Sequence, residues 1–145
     1  MTPRIGDLFP KEHKDQQART MLVKGAVLRG YVPDIRNPKV KRLIIVGAKT
    51  KDGKVGKIYI NTNQQASHSQ ILLENNDGRE YLAHDSYVDC SEVYEEDYEE
   101  MVAALSKDFD RYLGNVSDKD MDLIEATIRA CKTISPNKKK RFGIM

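Results

Sequence analysis

The chain has 145 residues, 39% hydrophobic and 32% charged, so it is long enough for one domain with its own core and needs no disulfide or metal to fold. The longest apolar run, residues 43–46, is far shorter than a membrane span, and the N-terminus lacks the apolar core of a signal peptide, so we expect a cytoplasmic protein with no membrane partner. Cys90 and Cys131 have neither CxxC spacing nor histidine partners, which favours two buried reduced thiols over a zinc site.

The net charge is only +2, but it is unevenly distributed along the chain. Residues 1–57 carry 14 basic and 5 acidic side chains, residues 58–131 carry 5 and 17, and residues 132–145 carry 5 and none. Such separation is typical of a phosphate-binding face beside a repelling one, or of a dipolar solvated surface. Charge alone favours the second interpretation.

The first elements predicted along the chain are a helix and a strand. Residues 10–22 favour a short helix that starts at Pro10, and we assign residues 1–24 to an N-terminal appendage. Residues 26–32 have the composition of a strand. The loop that follows contains Pro33 and Pro38, which break regular structure.

A hairpin is predicted next, with strands at 40–47 and 57–64 around the turn Asp52-Gly53. If the strands pair about that turn, Arg42 lies beside Thr62 or Asn63. Directly opposed residues on neighbouring strands are about 4.5 to 5.5 Å apart. A guanidinium and a hydroxyl would then converge on one phosphate-sized group, which makes this end of the hairpin the candidate site.

The middle of the chain predicts further short strands. Residues 71–73 and 80–82 favour a second hairpin through the turn at 75–78, and residues 86–90 favour another strand. About five short strands close together are typical of a small barrel. We therefore place a barrel domain with helices at residues 25–136.

The C-terminal part predicts helices and a tail. Residues 94–105 favour one helix, and Ser117 starts a second helix as its N-cap, which we expect to end at Pro136. We assign residues 137–145 to a basic tail and expect it to be frayed.

Five short motifs, in order over about residues 25–131, resemble the MazF/PemK (Kid) family of toxin ribonucleases. They are Gly25-Ala26-Val27, Lys41-Arg42 before an apolar strand, Asn61-Thr62-Asn63, His84-Asp85-Ser86, and the helix entry Gly114 to Met121. The sequence departs from the family at Leu43, where a proline is expected. The resemblance implies a mainly β fold with C-terminal helices (α+β), a small SH3-like barrel of the MazF/PemK/CcdB type.

The resemblance also implies a function, a toxin-type endoribonuclease of a toxin-antitoxin pair. It would cleave single-stranded RNA without a metal or other cofactor, as a homodimer controlled by a protein antitoxin. The ribose 2′-hydroxyl attacks the adjacent phosphorus and expels the 5′ oxygen, which requires fixed positive charge and proton transfer. Arg42 would supply the charge, and Thr62 would hydrogen-bond a nonbridging oxygen.

Other residues are candidates for proton transfer and RNA recognition. His84 is a conceivable general base, although a surface histidine before a strand is the commoner case. RNA recognition would use stacking and polar contacts to exposed bases, beside a basic loop. The residues proposed for it are Tyr31, Arg36, Lys39, Lys41, Asn63, Gln64 and Gln65.

Two other classes of function remain open. One is a non-catalytic SH3-like module that uses the same surface to bind a protein or a nucleic acid, as the CcdB branch does. The other is a structural or phage-derived protein without activity, since the acidic middle would repel RNA over much of the surface.

Overall fold

A computed structural model describes residues 11–32, 39–47, 49–64, 69–76 and 78–144 of the chain. Over these residues the protein forms seven antiparallel strands in one curled half-barrel sheet, together with four α-helices. The expectation of mixed strand and helix is confirmed. The elements in chain order are α1 (Lys11–Met21), β1 (Ala26–Val32), β2 (Lys39–Gly47), β3 (Lys54–Asn61), β4 (Gln70–Leu73), β5 (Ser86–Asp89), β6 (Tyr94–Asp97), α2 (Tyr98–Lys107), a 3₁₀ turn (Phe109–Arg111), β7 (Tyr112–Asn115), α3 (Asp118–Ala130) and α4 (Pro136–Arg141).

The strands lie in the order β4-β5-β3-β2-β1-β7. The far edge of β3 is shared, because β6 pairs with its first half and β5 with its last two residues. The β2–β3 hairpin is confirmed, but β3 begins and ends three residues earlier than the predicted strand at 57–64. The hairpin loop is closed by Gly53 in the left-handed conformation with φ +79°.

Each face of the sheet has its own hydrophobic core, because successive strand residues point to opposite faces. Val27 and Ile44 belong to the core beneath α3 and α4. Leu28 and Leu43 belong to the core beneath α1 and α2, to which α1 contributes Ala18. Helix α1, within the segment assigned to an N-terminal appendage, is thus packed into this second core.

The predicted helix at residues 94–105 is wrong at its start. Tyr94–Asp97 is strand β6, and α2 begins at Tyr98. The Asp97 side chain accepts a hydrogen bond from the Glu100 amide at 3.0 Å, which caps the helix. Pairing with β3 determines the conformation of the preceding residues, and that pairing is not local in sequence.

The predicted second hairpin is also wrong. Strand β4 pairs with β5, so that Leu73 opposes Ser86, and residues 80–82 form no strand. The Leu82 amide donates to the Arg79 carbonyl at 3.1 Å, which closes a turn. Tyr81 and Leu82 are nevertheless buried, so their apolar character reflects packing. Strand β7 was not predicted.

The expectation of a frayed basic tail is wrong for residues 137–144. Pro136 occupies the first turn of α4 after the N-cap Ser135, so it begins a helix instead of ending one. Phe142 and Ile144 are buried, with 4% and 1% of their surface exposed. The Lys139 ammonium donates to the Cys131 carbonyl at 2.8 Å beyond the end of α3.

The acidic segment, residues 92–99, is paired with basic side chains that lie both before and after it in the sequence. The pairs are Lys138–Glu92, Arg141–Glu95, Lys57–Glu96, Lys54–Asp97 and Arg19–Glu99, with N–O distances of 2.9, 2.7, 3.0, 3.7 and 2.7 Å. The basic and acidic segments of the sequence therefore partly neutralise each other through ion pairs within the fold.

Both cysteines are free and buried, as expected. Burial, with contributions from Asp89 and Cys131, raises the pKa of the Cys90 thiol to about 12. Cys90 is therefore an unreactive core thiol.

Candidate functional site

One transverse row of residues crosses five strands and ends in two arginines. Arg29 of β1 opposes Arg42 of β2, and Arg42 opposes Ile60 of β3. Ile60 opposes Val88 of β5, which opposes Ile71 of β4. Directly opposed residues share a face, so both arginines lie on the face whose core includes Ile60 and Val88.

The arginine pair, Arg29 and Arg42, places two like charges on adjacent strands. Opposed side chains have Cβ atoms about 4.5 to 5.5 Å apart, and like charges there are destabilising. Arg29 is exposed and its Nη2 donates to the Asp110 carbonyl at 3.1 Å, whereas Arg42 is half-buried with an unpartnered, buried Nε. No ion pair among the described residues includes either arginine. An anionic ligand would relieve this repulsion.

The predicted hydroxyl Thr62 lies at the same end of the sheet. Asn61, the last residue of β3, opposes Tyr87. The next positions along these two strands are Thr62, just after β3, and Ser86, the first residue of β5. Thr62 is exposed and Ser86 is 3% exposed. The Ser86 hydroxyl lies 3.2 Å from Nδ1 of His84, which brings the candidate base to this end too.

The hydrogen bonds of His84 define its tautomer. Nδ1 lies 2.9 Å from the Asp85 carbonyl oxygen, and the Ser86 hydroxyl donates to the His84 carbonyl at 3.0 Å. A carbonyl oxygen only accepts, so the first bond requires the proton on Nδ1. In a neutral ring with that proton, Nε2 carries the lone pair that a general base needs.

The predicted direct opposition of Arg42 to Thr62 or Asn63 is wrong, because Ile60 occupies that position. The Thr50 amide donates to the Lys54 carbonyl at 2.8 Å, so the loop contains three residues around Asp52. A bulge between Ile45 and Gly47 shifts the register further. Arg42 and Thr62 therefore lie at the same end of the sheet without being opposed.

The predicted RNA-binding residues are divided by the structure. Lys41 lies on the other face from Arg42, where its ammonium donates to Asn61 Oδ1 at 2.8 Å. Asn63 and Gln64 are exposed just after β3. Arg36 and Gln65 lie outside the described residues. Tyr31 and Lys39 hold positions in β1 and β2, but their side chains lie outside the described part.

The other face carries an aromatic and cationic surface. The rings of Tyr59 and Tyr94 are 4.9 Å apart, and the ammonium groups of Lys41 and Lys57 lie 5.8 and 5.4 Å from the Tyr59 ring centre. Burial alone would lower the pKa of Lys57, but the attraction and hydrogen bond of Glu96 outweigh it and raise that pKa. Lys57 is therefore charged at neutral pH.

Arg29 was not identified as a site residue from the sequence. It becomes recognisable only through the register, because a long loop separates it from Arg42. The described residues contain no group of three His, Cys, Asp or Glu side chains placed to hold a metal ion.

No helix in the described part of the chain is long and apolar enough to cross a membrane. No protein-family model matches this sequence, and no curated protein is significantly similar to it.

Proposed function

We propose that the end of the sheet around the arginine pair binds and cleaves single-stranded RNA without a metal. The observation that carries the proposal is the opposition of Arg29 and Arg42 with no carboxylate partner among the described residues. Two fixed guanidinium groups at adjacent strands match the charge of a phosphodiester and of the more negative phosphorane.

The proposed reaction begins at the ribose 2′-hydroxyl. Nε2 of His84 takes its proton while the 2′ oxygen forms a bond to phosphorus. The arginine pair stabilises the negative charge of the phosphorane, and the Thr62 hydroxyl donates to a nonbridging oxygen. The bond from phosphorus to the 5′ oxygen then breaks, and that oxygen takes a proton from water. The products are a 2′,3′-cyclic phosphate and a 5′-hydroxyl.

The same proposal includes the type of barrel and the binding partners of the protein. An SH3-like barrel of the MazF/PemK type is compatible with the curled half-barrel and its helices. Membership of a toxin-antitoxin pair, with a homodimer and a protein antitoxin, is supported by the sequence motifs alone.

The test is cleavage of a set of single-stranded RNAs that covers all short base contexts, in the presence of EDTA. We expect cleavage by the unmodified protein and a loss of roughly 100- to 1,000-fold with Arg42→Ala, as for removal of other charge-stabilising groups. Arg19→Ala on α1 makes the same charge change at a distant exposed position and should retain activity. The matching DNA should stay intact, because it lacks the attacking hydroxyl.

Intact RNA after incubation with the folded protein would overturn cleavage. Full activity of Arg42→Ala would overturn the assigned site. Circular dichroism of each variant establishes that it is folded.

A second candidate, RNA binding without cleavage, is favoured by the aromatic and cationic surface. Tyr94 is 44% exposed beside Tyr59, and aromatic side chains of this kind stack on unpaired bases. In that case RNA would bind and remain whole, and Tyr94→Ala would weaken binding more than Arg42→Ala.

A further inference from the structure

A cavity of about 120 Å³ lies against the core beneath α1 and α2, and Arg29 of the arginine pair lines it whereas Arg42 does not. Its walls come from β1, β2 and α2, through the apolar residues Leu28, Leu43, Met101 and Leu105. All four are at least nine-tenths buried and belong to the core beneath α1 and α2. The cavity therefore has an apolar wall built by three elements.

Glycine at position 30 helps to keep this cavity open. Gly30 lines it, and a Cβ at that position would lie 2.7 Å from Cδ2 of Leu43. Ala104, one turn of α2 from Met101, also presents only a methyl group to it. Small residues on two facing elements thus leave space that larger side chains would fill.

The rest of the lining is charged, with an excess of cations. Arg29, Arg111 and Lys57 line the cavity together with one carboxylate, that of Glu96. The Lys57 side chain is only 8% exposed, and its ammonium lies 3.0 Å from Glu96 Oε2. Arg111 is 4.0 Å from Asp108, too far for a strong pair. Three cations and one carboxylate leave an excess of positive charge in the lining, which a bound anion would reduce.

We propose that this cavity binds a small organic carboxylate with a compact apolar body, such as an aromatic or branched short-chain acid. The body packs against Leu43 and Met101, and the carboxylate lies toward Lys57 and Arg111. A cavity of about 150 Å³ lined by apolar side chains accommodates benzene, so the smaller space here takes an apolar body of at most about six carbon atoms. The two sites share Arg29, but the carboxylate is placed at Lys57 and Arg111, so binding in the cavity does not require RNA cleavage.

Benzoate is the test probe, and benzyl alcohol is its neutral control of similar size. Binding is followed by NMR of protein labelled with ¹³C at the methionine methyl groups, with Met101 assigned through Met101→Leu. We expect a saturable shift of the Met101 methyl signal and a Kd at least tenfold lower for benzoate than for benzyl alcohol. Arg111→Gln should reduce that preference.

Two substitutions on one helix test the location. Ala104→Leu should fill the cavity and weaken benzoate binding at least tenfold, whereas Ala103→Leu, at the exposed neighbouring position, should leave it unchanged. No shift up to the solubility limit of benzoate, equal affinity for the alcohol, or unchanged binding by folded Ala104→Leu would each overturn the proposal. RNA cleavage is measured in a separate assay, so its failure would be distinguishable.

Discussion

At the scale of single residues, the arginine pair is the least expected feature of the sheet. Like charges directly opposed on adjacent strands are destabilising. Arg42 also buries an unpartnered Nε, which adds a desolvation cost. Replacement of Arg42 should therefore abolish RNA cleavage without lowering the free energy of unfolding. That combination is typical of a residue retained for binding.

The hydroxyl of Thr62 should contribute to the reaction and not to the fold, because the side chain is exposed. Thr62→Val keeps the shape and removes the hydrogen bond to the phosphorane. We expect kcat for RNA cleavage to fall about tenfold, the equivalent of one charged hydrogen bond of roughly 1.5 kcal/mol, with KM little changed. Thr127→Val on α3 is the control. A loss expressed only in KM would contradict this role.

At the scale of elements, α4 shows how a basic segment becomes part of the core. Gly47 of β2 opposes Gly56 of β3, and the ring of Phe142 packs over both. A Cβ on Gly47 would lie 2.5 Å from Cβ of Phe142, so the glycine is required by this contact. The tail is therefore held by packing as well as by ion pairs.

Removal of the Phe142 ring should destabilise the whole domain, since it leaves a cavity over the two glycines. Phe142→Ala is expected to lower the free energy of unfolding by about 3 to 5 kcal/mol, measured by urea denaturation. Lys140→Ala, at an exposed position of α4 two residues earlier, is the control and should change stability by less than about 0.5 kcal/mol. A tail that frays, as the sequence predicted, would make the two variants equivalent.

Arg79 and Asp120 connect the loop before β5 to the start of α3. Two hydrogen bonds of 2.9 and 3.1 Å from Arg79, opposed by burial, lower the pKa of the Asp120 carboxyl. A lowered folded-state pKa stabilises the protein above the unfolded value, near pH 4, and that stability is lost as the pH falls through the lower folded value.

Replacement of this carboxylate tests the connection. Asp120→Asn should lose about 2 kcal/mol of stability at pH 7, and its stability should then depend less steeply on pH below about 4, so that the two curves converge in acid. Urea midpoints measured from pH 7 to pH 2 give the comparison. Parallel curves over that range would show that the pair contributes no acid dependence.

At the scale of the whole molecule, one sheet has a hydrophobic core on each face. The first and last helices of the described chain complete these two cores. Helix α1 covers one face and α4 the other. The acidic segment, residues 92–99, pairs with basic residues before and after it in the sequence. We therefore expect the domain to unfold as one cooperative unit.

Substitution in either core should lower the urea midpoint of one and the same unfolding transition. Leu22→Ala, beside α1, and Ile128→Ala, on α3, should each cost about 2 to 4 kcal/mol, because both side chains are at least nine-tenths buried. Leu123→Ala, at a position 50% exposed, should cost far less. Coincident urea transitions by near- and far-ultraviolet circular dichroism are expected. An unchanged midpoint for Leu22→Ala would mean that the N-terminal segment is separate from the domain.

The sequence by itself determined α1, β1, the β2–β3 hairpin, the N-cap of α3 and the buried state of both cysteines. Each depends on signals within a few residues, such as alternation, the Asp52-Gly53 turn or the capping Ser117. It also indicated Arg42 and Thr62 at one end of the hairpin. These local signals carry no information about partners that are distant in the chain.

The tertiary structure alone decided the pairing of β4 with β5, the conversion of residues 94–97 to a strand, and the burial of the basic tail. It also brought Arg29 beside Arg42 and placed Lys41 on the other face. The physical reason is the same in each case. Strand pairing and core packing join residues far apart in sequence, and a shift of one residue in register moves a side chain to the opposite face.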